Sequence, residues 1–243
     1  MEVRLRLLRR KQLGMILVNL AYFIAILTVG ALVFLRGTGH AYLLVLACVA
    51  AYLLIVRPVV GRYRQALRTE ILAATLGRRL TDYCYHPESG VDRKCLEASG
   101  LVPAPLPALH SREHILGKTD GLEIELADVA FPVRVQNRNE MFSGCYIGLT
   151  CPGAGLPACR VEAGTLKEGA VSERQRELVE KLGALVPGSL YLRMEGERMD
   201  LLLRGRFLGF RINPLTAATE RNLTTNPLPE LDDAIQLAKL EQG

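Results

Sequence analysis

The chain has 243 residues, 49% of them hydrophobic, a mean hydropathy of +0.18 and a formal net charge of +5. The charge is unevenly spread: residues 1–60 hold seven Lys/Arg and one acid, whereas the rest hold 23 bases against 24 acids. This argues against a nucleic-acid-binding domain, which carries its own basic face, and the apolar excess fits one globular domain joined to membrane spans.

In chain order, Leu13 to Leu35 runs without a formal charge. At ~1.5 Å per residue a helix of that length exceeds a hydrocarbon core of about 30 Å. It is also longer than the ~7–15-residue core of a signal peptide, which favours an uncleaved span. Arg36-Gly37-Thr38-Gly39-His40 suits a tight turn, and Ala41 to Val56 is apolar again. That second stretch spans only if Val59 and Val60 are included and Arg57 reaches to the interface. Five bases (Arg4, Arg6, Arg9, Arg10, Lys11) precede the first span, and Arg57, Arg62, Arg64 and Arg68 follow the second. The turn holds only Arg36. The positive-inside rule therefore puts both termini in the cytoplasm. Ala21/Ala25 and Ala47/Ala51 form small-x-x-x-small pairs that let helices approach, and Asn19 suits an inter-helix hydrogen bond or the interface.

Beyond the hairpin, Val60, Tyr63, Leu67, Ile71 and Ala74, joined by Leu72, Leu76 and Leu80, predict a helix to about residue 80. Pro87 and Gly90 punctuate its end, Val91 to Ala98 reads as a short helix, and Val102–Pro107 is too Pro-rich for one. Lys118-Thr119-Asp120-Gly121 is a turn signal. Leu122–Leu126, Val129–Val135 and Phe142–Leu149 then read as three antiparallel strands, with a polar break at Asn137–Glu140. Cys151–Pro157 reads as loop, and Arg160–Glu162 as a short strand. Ser172 and Gln175 form a capping-box signature for a helix stopped by Pro187-Gly188. Leu190–Met194 and Met199–Leu203 form a hairpin, and Leu231, Ala234, Ile235 and Ala238 a final amphipathic helix.

Chemical motifs are sparse. Gly117-Lys118-Thr119 lacks the leading glycine of a P-loop, and Gly153-Ala154-Gly155 runs into Leu156-Pro157, so neither predicts a nucleotide site. Cys145, Cys151 and Cys159 are too widely spaced for a zinc knuckle, while Cys84, His86 and Cys95 would need the fold to bring them together. Together with Cys48 they read as reduced thiols in a cytoplasmic domain. No metal, cofactor or catalytic set is expected. Glu123/Glu125 on one strand face and His110/His114 supply the only acid–base material, and the former read as a solvated face. Asn222-Leu223-Thr224 fits a glycosylation sequon, which has no meaning on the cytoplasmic side.

Tyr85-His86-Pro87-Glu88-Ser89-Gly90-Val91 and Leu96-Glu97-Ala98-Ser99-Gly100-Leu101 resemble the Y-x-P-x-x-G-I … F-x-x-S-G-L segment of a bacterial membrane-protein family. That family is catalogued as domain of unknown function 3137. Gly117 to Val129 is similar to its G-x-x-x-x-x-x-F-S-E-V stretch, and Phe142-Ser143-Gly144-Cys145-Tyr146 to its F-K-G-L-F. The aromatic of F-x-x-S-G is Leu96 here, and Cys145 replaces an apolar position. The resemblance implies an α+β domain on a two-helix anchor and carries over no catalytic residue.

The expected fold class is therefore α+β: a transmembrane hairpin over residues 1–60 (spans about 13–35 and 41–60), then a cytosolic domain over 61–243 with mainly antiparallel sheet packed by helices. The expected function is a non-enzymatic binding or scaffolding domain at the cytoplasmic (inner) membrane. It is held by the lipid bilayer and acts with a protein partner or a second copy, without nucleic acid. The alternatives are an accessory subunit of a membrane transport or envelope complex, and a membrane-tethered hydrolase.

Overall fold

The computed structural model describes residues 2–36, 41–77, 79–135, 138–169, 172–185, 190–206, 208 and 229–239. The expected turn at Gly37–His40, the Pro187-Gly188 stop and the Asn222 sequon lie outside them. The described residues fall into two compact units, one ending at Thr75 and the other starting at Leu76.

The first unit is a helical hairpin. α1 covers Glu2–Arg36, and α2 (Ala41–Ala51) continues through a π turn (Tyr52–Val56) into α3 (Arg57–Thr75). Ala51 and Arg57 are both helical at the junctions, and the Arg57 N–H donates to the Tyr52 carbonyl. The second apolar stretch belongs to a helix that runs unbroken to Thr75. Pro58 explains the π turn: an interior proline lacks an N–H and crowds the carbonyl four residues earlier, here Leu54, and the widened turn sits at that carbonyl.

Both helices are long and apolar enough to cross a membrane, over Arg6–Ala31 and Val45–Glu70. Along α1 the residues turned inward include Leu8, Gln12, Met15, Asn19 and Tyr22, spaced by fours and threes like a coiled-coil seam, and Val29 and Val33 continue the stripe after an exposed Ile26. The Tyr22 hydroxyl donates to the Cys48 carbonyl at 3.0 Å, and the Tyr22 and Tyr52 rings meet at 5.7 Å. Asn19 does not bridge the helices; its amide donates to the Met15 carbonyl one turn back, at 2.8 Å. Ala21, Ala25 and Ala47 are exposed. Ala51 is half-buried, and the tyrosine-bearing seam makes the hydrogen bond and the ring contact.

The second unit is α+β, as its sequence pattern predicts. Its eight strands are β1 (Thr81–His86), β2 (His110–Thr119), β3 (Leu122–Val135), β4 (Arg138–Thr150), β5 (Leu156–Glu162), β6 (Thr165–Glu168), β7 (Leu190–Gly196) and β8 (Arg198–Arg204). They form one antiparallel sheet in the order β1-β2-β3-β4-β8-β7-β5-β6. The helices are α4 (Arg93–Ala98), α5 (Glu173–Leu185) and α6 (Pro229–Lys239).

Several strand boundaries differ from the sequence pattern. Leu122–Leu126 and Val129–Val135 form one strand, because Asp128 is buried with its carboxylate accepting from the Leu208 N–H at 2.5 Å. Pro132 is tolerated past Ala130, where β2 no longer pairs with β3. Residues 81–86 are strand rather than helix end, and β2 starts at His110; the sequence pattern shows neither. β1 is an edge strand with a largely exposed face, so it lacks apolar alternation. In β2 a bulge between Arg112 and Ile115, with Glu113 at φ 59°, breaks the period of two. β5 starts at Leu156, inside the expected loop, and β6 follows it.

One sheet face carries Leu122, Ile124, Leu126, Ile147, Leu149, Leu201 and Leu203, all buried. α6 packs against β4 on one side and α5 on the other, contributing buried Leu231, Ala234 and Leu237. The opposite face joins Ala127, Val129, Phe131, Phe142, Tyr146 and Leu202 to Val91, Leu96, Val102 and Leu106, so α4 and the Pro-rich connector form its lid. Phe131 and Phe142 stack at 4.8 Å. The capping box forms: the Ser172 N–H donates to Gln175 Oε1 at 2.7 Å, and the Gln175 N–H to Ser172 Oγ at 3.3 Å. Ser172→Ala is expected to cost about 1 kcal/mol, measured by chemical denaturation of the domain.

Candidate functional site

A chain of polar side chains crosses the α4-covered face. Register places Glu125, Gly148, Asp200 and Arg193 in one row across β3, β4, β8 and β7. Tyr146, two residues from Gly148 on β4, lays its ring over that glycine. A Cβ at Gly148 would sit 2.6 Å from the Tyr146 hydroxyl. The vacancy lets this buried hydroxyl donate to Asp200 Oδ1 at 2.6 Å.

Arg198 is the hub. Its Nε donates to both Asp200 oxygens at 3.0 Å, and its Nη2 to the Tyr146 hydroxyl at 2.8 Å and to Cys95 Sγ at 3.0 Å. The Cys95 thiol, on α4, donates to Glu125 Oε2 at 3.5 Å, and Glu125 Oε1 meets His114 Nε2 at 2.9 Å. A second strap runs alongside: Arg193 Nη1 donates to the Ser99 carbonyl at 3.3 Å. It lies against Gly100, whose φ is +67° and whose Cβ would fall 1.8 Å from that nitrogen. The Ser99-Gly100-Leu101 motif is thus the seat of a strand-borne arginine.

Burial pushes the Cys95 thiol up, reinforced by the Glu125 charge and opposed by Arg198. Burial and the Asp200 charge hold the Tyr146 phenol far above its usual range. Burial also raises Asp200, against hydrogen bonds from Tyr146 and Arg198. The first two directions describe a protonated thiol and a neutral phenol, and the Asp200 oxygens are held by Arg198. An activated cysteine has a lowered pKa and a base on its sulfur. Here His114 bonds Glu125, not Cys95. The arrangement braces α4 to the sheet and offers no activated nucleophile.

Of the acid–base residues singled out from the sequence, the fold brings together Glu125 and His114 only. Glu123 pairs with Lys118 at 2.9 Å on the exposed surface. His110 lines a separate cleft of about 470 Å³ with Glu88, Arg112 and Asp128. Among the described residues no three His, Cys, Asp or Glu side chains gather as a metal site. Cys84 Sγ lies 3.4 Å from His86 Nε2, both exposed, while Cys95 joins the Arg198 hub. Cys145, Cys151 and Cys159 are buried. Sequence reasoning missed Tyr146, Arg198 and Asp200; alternate charges at 198 and 200 on a strand with a covered face were the available signal. Of the membrane-flanking bases, Arg6, Arg9, Arg10, Lys11, Arg57, Arg62 and Arg64 are exposed and Arg68 is half-buried. The Arg4 side chain lies outside those described.

No protein-family model, curated protein or solved structure matches the chain.

Gly148→Ala drives a methyl into a hydroxyl pinned by two hydrogen bonds and should cost roughly 1–3 kcal/mol, seen as a lowered unfolding midpoint. Asp200→Ala, leaving the Tyr146 hydroxyl on Arg198 alone, should cost roughly 2–4 kcal/mol. In a maleimide time course near neutral pH, Cys84 should label first. Cys95 should lag and accelerate as pH rises beyond the ordinary thiol range, and the buried cysteines should react only after denaturation.

Proposed function

We propose that this protein is a membrane-tethered binding domain without catalytic activity, anchored in the cytoplasmic membrane with both termini and its α+β domain on the cytoplasmic side. The observation that carries the tether is the exposure of large apolar side chains around both hairpin helices, from Leu13, Leu17, Leu20 and Phe23 to Leu46, Leu53 and Leu54. The basic residues at the ends that flank these stretches support the orientation. The resemblance to the uncharacterised membrane family supports the same organisation.

Binding rather than catalysis is favoured because Cys95 and Tyr146, the groups of the polar cluster that could act as nucleophile or acid, are held in their neutral forms by burial. Among the described residues of the domain, the exposed large apolar side chains are Leu116 and Met141, on separate strands. Recognition through a broad apolar patch is therefore disfavoured. The sheet ends at β1, whose outer edge has no neighbouring strand among the described residues, and strand addition there is the mode the geometry offers a protein partner.

Reporter fusions after Gly243 and within Gly37–Gly39 test the topology; the expected readings are cytoplasmic and external respectively, and the reverse overturns the orientation. In-cell crosslinking from β1 positions such as Tyr83 should capture a reproducible protein partner, and its capture should be lost with a proline placed in β1.

A further inference from the structure

The helical hairpin holds a cleft of about 650 Å³ between α1 and α3, within the roughly 300–1,000 Å³ usual for small-molecule sites. Lys11 and Arg62 line it, with Leu7 and Val59 as apolar wall. Both cations are exposed, and neither has an acidic partner among the described residues. The acid of the cleft, Glu70, already has a partner. It stands eight residues beyond Arg62, about 12 Å along the helix, at the end away from the apolar stretches.

Tyr63 supplies an independent sign of a ligand. It lines the same cleft and is 2% exposed, and its hydroxyl has no hydrogen-bond partner among the described residues. A buried hydroxyl left unsatisfied is rare in a folded protein and marks a place for an acceptor.

Location selects the acceptor. Lys11 stands two residues before the uncharged run that starts at Leu13, and Val59 three residues after Val56, where the other apolar run ends. On the membrane reading, from which this inference starts, the cationic end of the cleft sits at the headgroup level. Its apolar wall continues into the lipid-facing surface. We infer that the cleft binds an anionic glycerophospholipid, with Lys11 and Arg62 holding the headgroup phosphate and the Tyr63 hydroxyl donating to one of its oxygens. Basic pockets between helices on the cytoplasmic side recognise anionic headgroups in this way.

The test is native mass spectrometry of the full chain released from nanodiscs of phosphatidylcholine containing a minor fraction of phosphatidylglycerol. The wild type should retain phosphatidylglycerol in preference to phosphatidylcholine. Lys11→Gln/Arg62→Gln should lower that retention about tenfold, whereas the charge-matched Arg10→Gln/Arg64→Gln, outside the cleft, should change it less than about twofold. Tyr63→Phe, which keeps the buried ring and hence the helix packing, should lower it about threefold. Equal loss in the two double variants, or none in Lys11→Gln/Arg62→Gln, overturns the site. A chain that fails to enter nanodiscs overturns the membrane reading itself, so the two failures are distinguishable.

Discussion

The constraint on which the first unit depends is the apolar surface of its hairpin. Seventeen large apolar side chains between Leu7 and Ile55 are exposed. At roughly 1.5–3 kcal/mol per buried side chain, leaving them in water forgoes on the order of tens of kcal/mol. That exceeds the ~5–15 kcal/mol by which domains are normally stable. The proposed lipid setting would resolve the conflict, because a helix satisfies its own backbone and only its side chains would meet the hydrocarbon. On the proposed membrane reading lipid offers no hydrophobic driving force between the helices, so the seam relies on packing and on the Tyr22–Cys48 hydrogen bond. The π turn before Pro58 keeps the second helix continuous from Ala41 to Thr75.

The domain depends on a different kind of contact. α4 is only six residues long and could not hold itself in place by helix propensity. It is fixed by Leu96 in the core, by the thiol of Cys95 on Arg198, and by Arg193 on the Ser99 carbonyl. Arg198 in turn is fixed by Asp200 and Tyr146, and Tyr146 by the space above Gly148. These contacts tie three strands and one helix into a single brace. A polar network this fully satisfied specifies an arrangement rather than poising a reaction.

What the sequence disclosed and what it concealed divide along the range of the interactions. The Ser172–Gln175 box, the hairpin around Gly196, the amphipathic stripe from Leu231 to Ala238 and the two apolar helices rest on contacts a few residues apart, and all were legible. β1 and β2 were not, because an edge strand has little to bury and the bulge at Arg112–Ile115 scrambles the alternation. The polar cluster was half legible: Glu125 and His114 were visible as chemistry-bearing residues. Their partners lie far along the chain, with Cys95 and Arg198 joined across 103 residues. Ser99-Gly100-Leu101 drew notice as a motif, but its reason, the guanidinium of Arg193, exists only once the sheet has formed.

The central claim is that residues up to Thr75 are an integral membrane anchor. Alkaline carbonate extraction of membranes from cells expressing the full chain, followed by density flotation, tests it directly. The protein is expected to stay with the floating lipid fraction after extraction. Release into the supernatant as a detergent-free, folded species would contradict it.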